Sequence, residues 1–452
     1  MKNSLLKLFS QEKQGDTGKE ETVEETRGYC EETVPVYRYE KTNIEFLIVR
    51  SESSFMYCVH EPGSEEYLEE RRKSGYGQLY PIIQDDNIEE ISVNGPSRPV
   101  FVLNKLLPGI WLESNIMLDG KEADSIAYNL AVRARRAVSL LTPIAEGLTN
   151  EGYRVSVTYS REVSRWGSSF VIRKYPSNPP SIVQLIEQNV ISSLMAAYLW
   201  FVIDHKKFIL ITGGMGAGKT TFLNALIEMI SPYSRVLTLE DTPEIRVVNK
   251  NWDSLITRPV YPGSEYAEIS LFDLVKFSLR RRADYLIIGE VRGKEAQGLA
   301  QAVATGQGSI ATFHADSPSN ALERLKMEPI NLSPAFISLV SVIVHLKKSM
   351  KRGVVVSRRA EVVMEQSGGE LIPVFKWDPR LDYFSPENIE ELLHSSRVIE
   401  AIADREGYSV SEILGNMLSR ARLLEMNTGA SRSRFREEVE KFYMSRLSER
   451  EA

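Results

Sequence analysis

The segment Phe208–Thr221 reads FILITGGMGAGKTT, and few stretches restrict a fold so tightly. An apolar run, read as a buried strand, passes directly into Gly213-x-x-x-x-Gly218-Lys219-Thr220. Phe222, Leu223, Leu226, Ile227 and Ile230 then recur at helical spacing. Each residue type in the loop has a physical use. The glycines let the backbone of Gly213, Gly214, Met215, Gly216, Ala217 and Gly218 curl until successive N–H groups point at phosphate oxygens, and the helix that follows adds its positive N-terminal end. Lys219 can reach β- and γ-phosphates. The hydroxyl of Thr220 can ligate Mg²⁺, and Thr221 completes the stretch facing the phosphates. Strand before and helix after is the context that separates such a loop from a fortuitous glycine-rich turn, so the chain is expected to bind ATP with Mg²⁺.

The surroundings repeat this logic. Val236–Leu239, Tyr285–Ile288 and Ser309–Phe313 are further continuous apolar runs separated by helical stretches. Strands buried on both faces read this way, which predicts a doubly wound α/β domain. The partner carboxylate of a phosphate loop should stand at the end of a neighbouring buried strand. Glu290, after the apolar run of ADYLIIGEVR, is so placed and is the second candidate Mg²⁺ ligand beside Thr220.

Elsewhere the pattern is different. Residues 11–27 contain one apolar residue, Val23, and six acidic ones, so residues 1–30 are expected to be a disordered acidic tail. Short β-rich patches and a charged helix suggest a small α+β module over 31–80. Residues 81–175 read as a second α+β domain, with a helix over Lys121–Ser139. Tyr153–Tyr159 alternates strictly, with Tyr153, Val155, Val157 and Tyr159 on one face. Tyr175–Ser181 has three prolines in seven residues, a stiff connector that separates this half from the α/β domain at 182–452. From about residue 366 the chain is expected to turn helical, with a capping box at Ser409-x-x-Glu412. No internal repeat is present.

Composition excludes several classes. The longest apolar runs, Leu194–Ile203 and Phe336–Leu346, fall short of the roughly 18 residues of a membrane-spanning helix, and Met1–Ser10 lacks the pattern of a secretory signal. Cys30 and Cys58 are the only cysteines, which argues against a disulfide scaffold or a Cys-rich zinc site and suits a reducing compartment. A net charge of −6 and a pI near 5.7 weigh against wholesale wrapping of nucleic acid.

TLEDTPEI, LITRP, FSLRRRADYLIIGEVRGKEA and ATGQGSIATFHADSP stand in an order and spacing that resemble the secretion ATPase superfamily. That superfamily drives type II and type IV secretion, type IV pili and archaella, and the style of these motifs is archaeal. The resemblance runs from about Tyr80 to the C-terminus. It implies a RecA-like ATPase domain preceded by a PAS-like domain, and a hexameric ring. Carried over position by position, it makes Glu244 the group that activates the attacking water, with Glu240 of the same acidic box as the alternative. It makes His314 a γ-phosphate sensor. It makes Arg154 and Arg173 cations that reach the nucleotide across a domain or subunit boundary, with Arg258 and Arg280–Arg282 as further candidates. The chain departs from the family pattern where relatives often carry Thr or Ser inside the loop, and at Gln307, where a second histidine is common. It also lacks the four-cysteine zinc module of many bacterial relatives.

The resemblance further implies a cytoplasmic motor at the inner face of the membrane. Its partner would be a polytopic platform protein and its output filament assembly, secretion or archaellum work. A nucleic-acid translocating ATPase is the alternative, opposed by the acidic pI and by the lack of an aromatic and basic single-strand groove.

Overall fold

The computed structural model describes residues 30, 33–50, 54–175, 179–258, 267–351 and 354–451 of the 452-residue chain. The acidic stretch 11–27 and residues 176–178 of the proline-rich connector lie outside these. The chain forms two compact units, one of residues 1–106 with 110–174 and one of residues 107–109 with 175–452.

The first unit is built on β1 (Pro35–Lys41), β2 (Ile44–Arg50), β3 (Phe55–His60), β4 (Ile88–Val93), β5 (Pro99–Asn104), β6 (Trp111–Met117), β7 (Ile144–Leu148), β8 (Arg154–Thr158) and β9 (Ser169–Arg173). They form one sheet in the order β1-β2-β3-β6-β5-β4-β9-β8-β7. A short parallel pairing, Met56 opposite Glu113 and Tyr57 opposite Ser114, makes the sheet continuous across the two modules expected at 31–80 and 81–175. A buried polar hub reinforces the join. Asp85 accepts from Tyr39 of β1 at 2.6 Å and from Tyr57 of β3 at 2.7 Å, and Lys174 donates to its carbonyl at 2.6 Å. Burial lowers the Lys174 ammonium to about 8. The pleat acts on β8 as the alternation requires: Val155 and Val157 are buried, while Arg154 and Ser156 are exposed.

α1 (Gly120–Arg133), capped by Asp119, ends at Arg133 rather than continuing to Ser139, and Arg135 there adopts φ 57°. A second difference concerns the cysteines. Cys30 and Cys58 are joined in a disulfide that closes on the Leu47, Val49 and Met56 side of the sheet. Their separation of 28 residues carried no such signal, because it is the fold that brings the Cα atoms to 5.8 Å. Cysteine usage therefore does not argue for a reducing compartment.

The second unit holds the sheet β12-β11-β13-β14-β10-β15-β16-β17-β18. Its strands are β10 (Phe208–Gly213), β11 (Val236–Glu240), β12 (Trp252–Ile256), β13 (Tyr285–Val291), β14 (Gly308–His314), β15 (Val340–Lys351), β16 (Val354–Ser367), β17 (Glu370–Asp378) and β18 (Tyr383–Ser385). Pairing is parallel from β12 to β15 and antiparallel beyond. The continuous apolar runs feed two cores. Ile209, Ile211, Ile287 and Val344 face one side, with α2 (Ser193–Asp204) and the C-terminal helices; Phe208, Leu210, Leu286, Ile288 and Phe313 face the other, with the helices 271–278 and 295–304. This three-layer arrangement is the doubly wound α/β fold. No helix among the described residues is long and apolar enough to cross a membrane.

The expectation of a helical chain from about residue 366 is corrected. β16 continues to Ser367, Gly368 and Gly369 turn with φ 59° and 89°, and β17 returns with Ser367 opposite Glu370. Only residues with positive φ make so short a reversal, and glycine takes that region without a Cβ clash. Helices resume at Ile389 and include α4 (Val410–Met426), which begins with the expected Ser409/Glu412 capping box, and α5 (Arg432–Glu451).

Arg420 of α4 lies 0% exposed, paired with Asp204 at the end of α2 and stacked near Trp200, Phe201 and Phe442. Arg420→Ala leaves a shielded carboxylate short of its main partner and opens a cavity. Thermal or urea unfolding should report a loss of about 3 kcal/mol or more.

Candidate functional site at the phosphate loop

β10 ends at Gly213, and the loop returns to the helix α3′ of residues Lys219–Ile227. Gly213 has φ 155°, and a Cβ there would stand 2.6 Å from the Leu346 carbonyl oxygen, so only glycine fits. Gly216 and Gly218 have φ 68° and 92°. Gly218 caps the helix without a side-chain hydrogen bond, which leaves its first turn open to an anion. Lys219 folds back over the loop, donating to the carbonyls of Gly213 at 2.9 Å and Gly214 at 3.0 Å. Burial lowers its pKa, and the nearby Glu290 carboxylate opposes that shift. Met215 stands exposed at the tip, while Ala217 is buried beneath it.

The acidic box follows β11, and its two glutamates are unlike. Glu240 is 2% exposed, and one of its oxygens accepts the N–H groups of Glu244 and Ile245, both at 2.8 Å. Its other oxygen is buried and has no hydrogen-bond partner. Burial pushes this carboxyl up to about 7. Glu244 is half-buried, and its carboxylate pairs with no cation among the described residues. Glu240 thus holds the backbone of the turn that carries Glu244.

Glu290 on β13 pairs with Arg292 at 2.5 Å. Register brings the end of β13 to the loop's edge of the sheet: Val291 stands opposite Phe313, and the next residue of β14, His314, stands opposite Gly213. Among the described residues no group of three or more potential metal ligands occurs, so an ion here would draw most of its oxygens from phosphate and water, as Mg²⁺ commonly does. The hydroxyl and carboxylate present fit that donor chemistry. His314 ends β14 directly opposite Gly213, with its side chain exposed and its carbonyl taken by Arg324.

Arg154 and Arg173 lie in the first unit. They are cross-strand partners of β8 and β9, both exposed, with Glu90 next to Arg173 on β4. Two like charges on one rung are unfavourable unless an anion or acid offsets them. Of the other arginines, Arg281 pairs with Asp253, and Arg258 donates to the Ala267 carbonyl at 3.1 Å.

Sequence reasoning missed Asn224. It is a buried polar residue in the otherwise apolar helix after the loop. Its amide donates to the Thr220 carbonyl at 3.0 Å and the Glu244 carbonyl at 3.1 Å, and its oxygen accepts the Arg246 N–H at 2.7 Å. One side chain therefore ties the phosphate helix to the acidic turn. A polar residue at an apolar-periodic position was the available signal. Arg432 of α5 supports it from behind, donating to the carbonyls of Arg246 at 2.8 Å and Asn224 at 3.4 Å. His345 was also missed; it is buried beside the loop and bonded to Thr212 at 2.9 Å.

Two outcomes follow from this geometry. Asn224→Leu keeps the volume but strands an N–H and two carbonyls, and should cost about 1–3 kcal/mol in unfolding measurements. For Glu240, a folded pKa above the ordinary 4.5 means that its stabilising contribution is present at low pH and lost as pH rises through about 7. Glu240→Gln stays neutral throughout, so its melting temperature should match wild type below about pH 4 and exceed it at about pH 8.5.

Residues 147–370 match the family model described as Type II/IV secretion system protein. Uncharacterized protein MJ0900 of Methanocaldococcus jannaschii is 35% identical over 369 residues, covering 79% of this chain and 65% of that protein. Uncharacterized protein MJ1287 of the same organism is 37% identical over 263 residues, covering 57% of this chain and 94% of that protein. The probable conjugal transfer protein TrbB of Sinorhizobium fredii is 30% identical over 254 residues, covering 55% of this chain and 74% of its own length. The chain thus spans just under two thirds of MJ0900 and nearly all of MJ1287. With TrbB 30% identical over 74% of its length and that family model across the phosphate loop, acidic box and histidine strand, the chain belongs to the Type II/IV secretion system protein family.

Proposed function

We propose that this chain is an ATP-hydrolysing motor subunit that powers a secretion system or the assembly of a type IV pilus-like filament or archaellum. The observation that carries the reading is the Glu244 carboxylate, pinned through its backbone by Glu240 and Asn224 next to the phosphate loop. Water is a poor nucleophile and must be oriented in line with the leaving oxygen. A carboxylate on a pinned backbone, with no cation paired to it among the described residues, suits that task, and a positioned base contributes about 10²–10⁴ in rate.

In this reading Lys219 and the loop N–H groups bind the phosphates, and Thr220 and Glu290 hold Mg²⁺, which when bound neutralises charge on the phosphate oxygens. His314, at the strand end opposite Gly213, senses the γ-phosphate. Arg154 and Arg173 supply the cationic charge of the transition state across a domain or subunit boundary. A correctly placed arginine finger contributes about 10³–10⁵, or roughly 4–7 kcal/mol. The working form is a homo-hexameric ring at the inner face of the membrane, docked on a polytopic platform protein.

ATPase assays combined with light scattering test this directly. Wild type should hydrolyse ATP and form hexamers with an ATP analogue. Lys219→Ala should lose nucleotide binding, whereas Glu244→Gln and Arg154→Ala should bind nucleotide yet turn over at least 100-fold more slowly. Full activity of Arg154→Ala in a monomeric protein would overturn the ring mechanism.

A further inference from the structure

The antiparallel pair β15–β16 approaches the phosphate loop and brings two cations with it. Lys348 and Arg358 are directly opposite one another in its register. The Arg358 Nε donates to the Gly216 carbonyl at 3.1 Å, and its Cδ lies 3.4 Å from where a Cβ on Gly218 would stand. The Lys348 Nζ lies 3.7 Å from the corresponding point on Gly216. Both side chains therefore border the loop tip.

The adjacent rung shows what is unusual about them. Lys347 and Arg359 are also cross-strand partners, and each has a carboxylate: Glu361 for Lys347, and Asp382 at 2.7 Å for Arg359. Lys348 and Arg358 have no carboxylate partner among the described residues. Like charges directly opposite each other on a sheet are destabilising, so an unneutralised pair beside a phosphate cradle fits an anion that is bound there.

Sheet order says which part of that anion. β11 and β13, which bring Glu240, Glu244 and Glu290, lie on one side of β10, and β15 and β16 lie on the other. The phosphate that leaves must sit by the carboxylates that orient water and hold Mg²⁺. We propose that Lys348 and Arg358 form a cationic clamp on the phosphates nearest the nucleoside, on the opposite side of β10 from the hydrolytic groups. This rests on the nucleotide-site reading above. The clamp acts on binding and not on the transferred phosphoryl group, so it holds diphosphate and triphosphate alike.

The test is calorimetric binding of ADP and of a non-hydrolysable ATP analogue, each with Mg²⁺, to the full chain. Arg358→Ala should weaken both by about tenfold, and Lys348→Ala should weaken both in the same direction. Arg358→Lys should recover part of the loss. In turnover, KM for ATP should rise with kcat at saturation unchanged. Three results overturn the clamp: unchanged ADP affinity in Arg358→Ala, a loss confined to the ATP analogue, or a loss seen only at Arg358 together with a lower melting temperature of the nucleotide-free protein. The last would identify a brace for the Gly216 carbonyl. Failure of wild type to bind either nucleotide would overturn the nucleotide-site reading itself, and the clamp with it.

Discussion

Strand β10 is the constraint on which the site depends. It is buried on both faces and paired in parallel on both edges, so its end cannot shift without disturbing two cores. Gly213 stands opposite His314 on one side and Leu346 on the other, and the Leu346 carbonyl closes the space where any side chain at 213 would go. Parallel strands in register end at one edge of the sheet, and ligands of such folds bind there. The phosphate loop, the acidic turn and the histidine strand share that edge for this reason.

Around the edge the charges are sorted. Carboxylates arrive from β11 and β13, cations from β15 and β16, and Lys219 lies between them. Burial treats the two acidic-box glutamates differently. Glu240 is drawn into the protein, bonded to two N–H groups, with its pKa raised to about 7 by desolvation, whereas Glu244 is only half-buried. A buried carboxyl with one unsatisfied oxygen is costly, and the two N–H groups that its other oxygen accepts offset part of that cost. Asn224 and Arg432 extend the same support to the C-terminal helices, so the phosphate helix is held from behind by segments far away in sequence.

Some of this was legible beforehand for definite reasons. Local backbone demands leave local traces, so the glycines of the loop, the apolar runs and the Ser409/Glu412 cap could be read directly. The Gly368-Gly369 hairpin was also local, yet it was overlooked because a helical pattern follows soon after it. Asn224 was hidden among apolar neighbours at helical spacing, where its value comes from carbonyls that only folding brings near. The Cys30–Cys58 bond and the continuity of the first sheet through β3 and β6 were beyond sequence reasoning, since nothing in a spacing of 28 residues encodes proximity.

The sequence by itself determined the phosphate loop and the doubly wound character of its domain, because each depends on residue type at short spacing; the acidic and histidine motifs were identified by resemblance to a family. Tertiary structure decided that Glu240 is buried and Glu244 half-buried, and that among the described residues Lys348 and Arg358 come to the loop without a carboxylate while Lys347 and Arg359 are neutralised. These outcomes depend on desolvation and on cross-strand register. Both are properties of packed neighbours and not of the chain read in order.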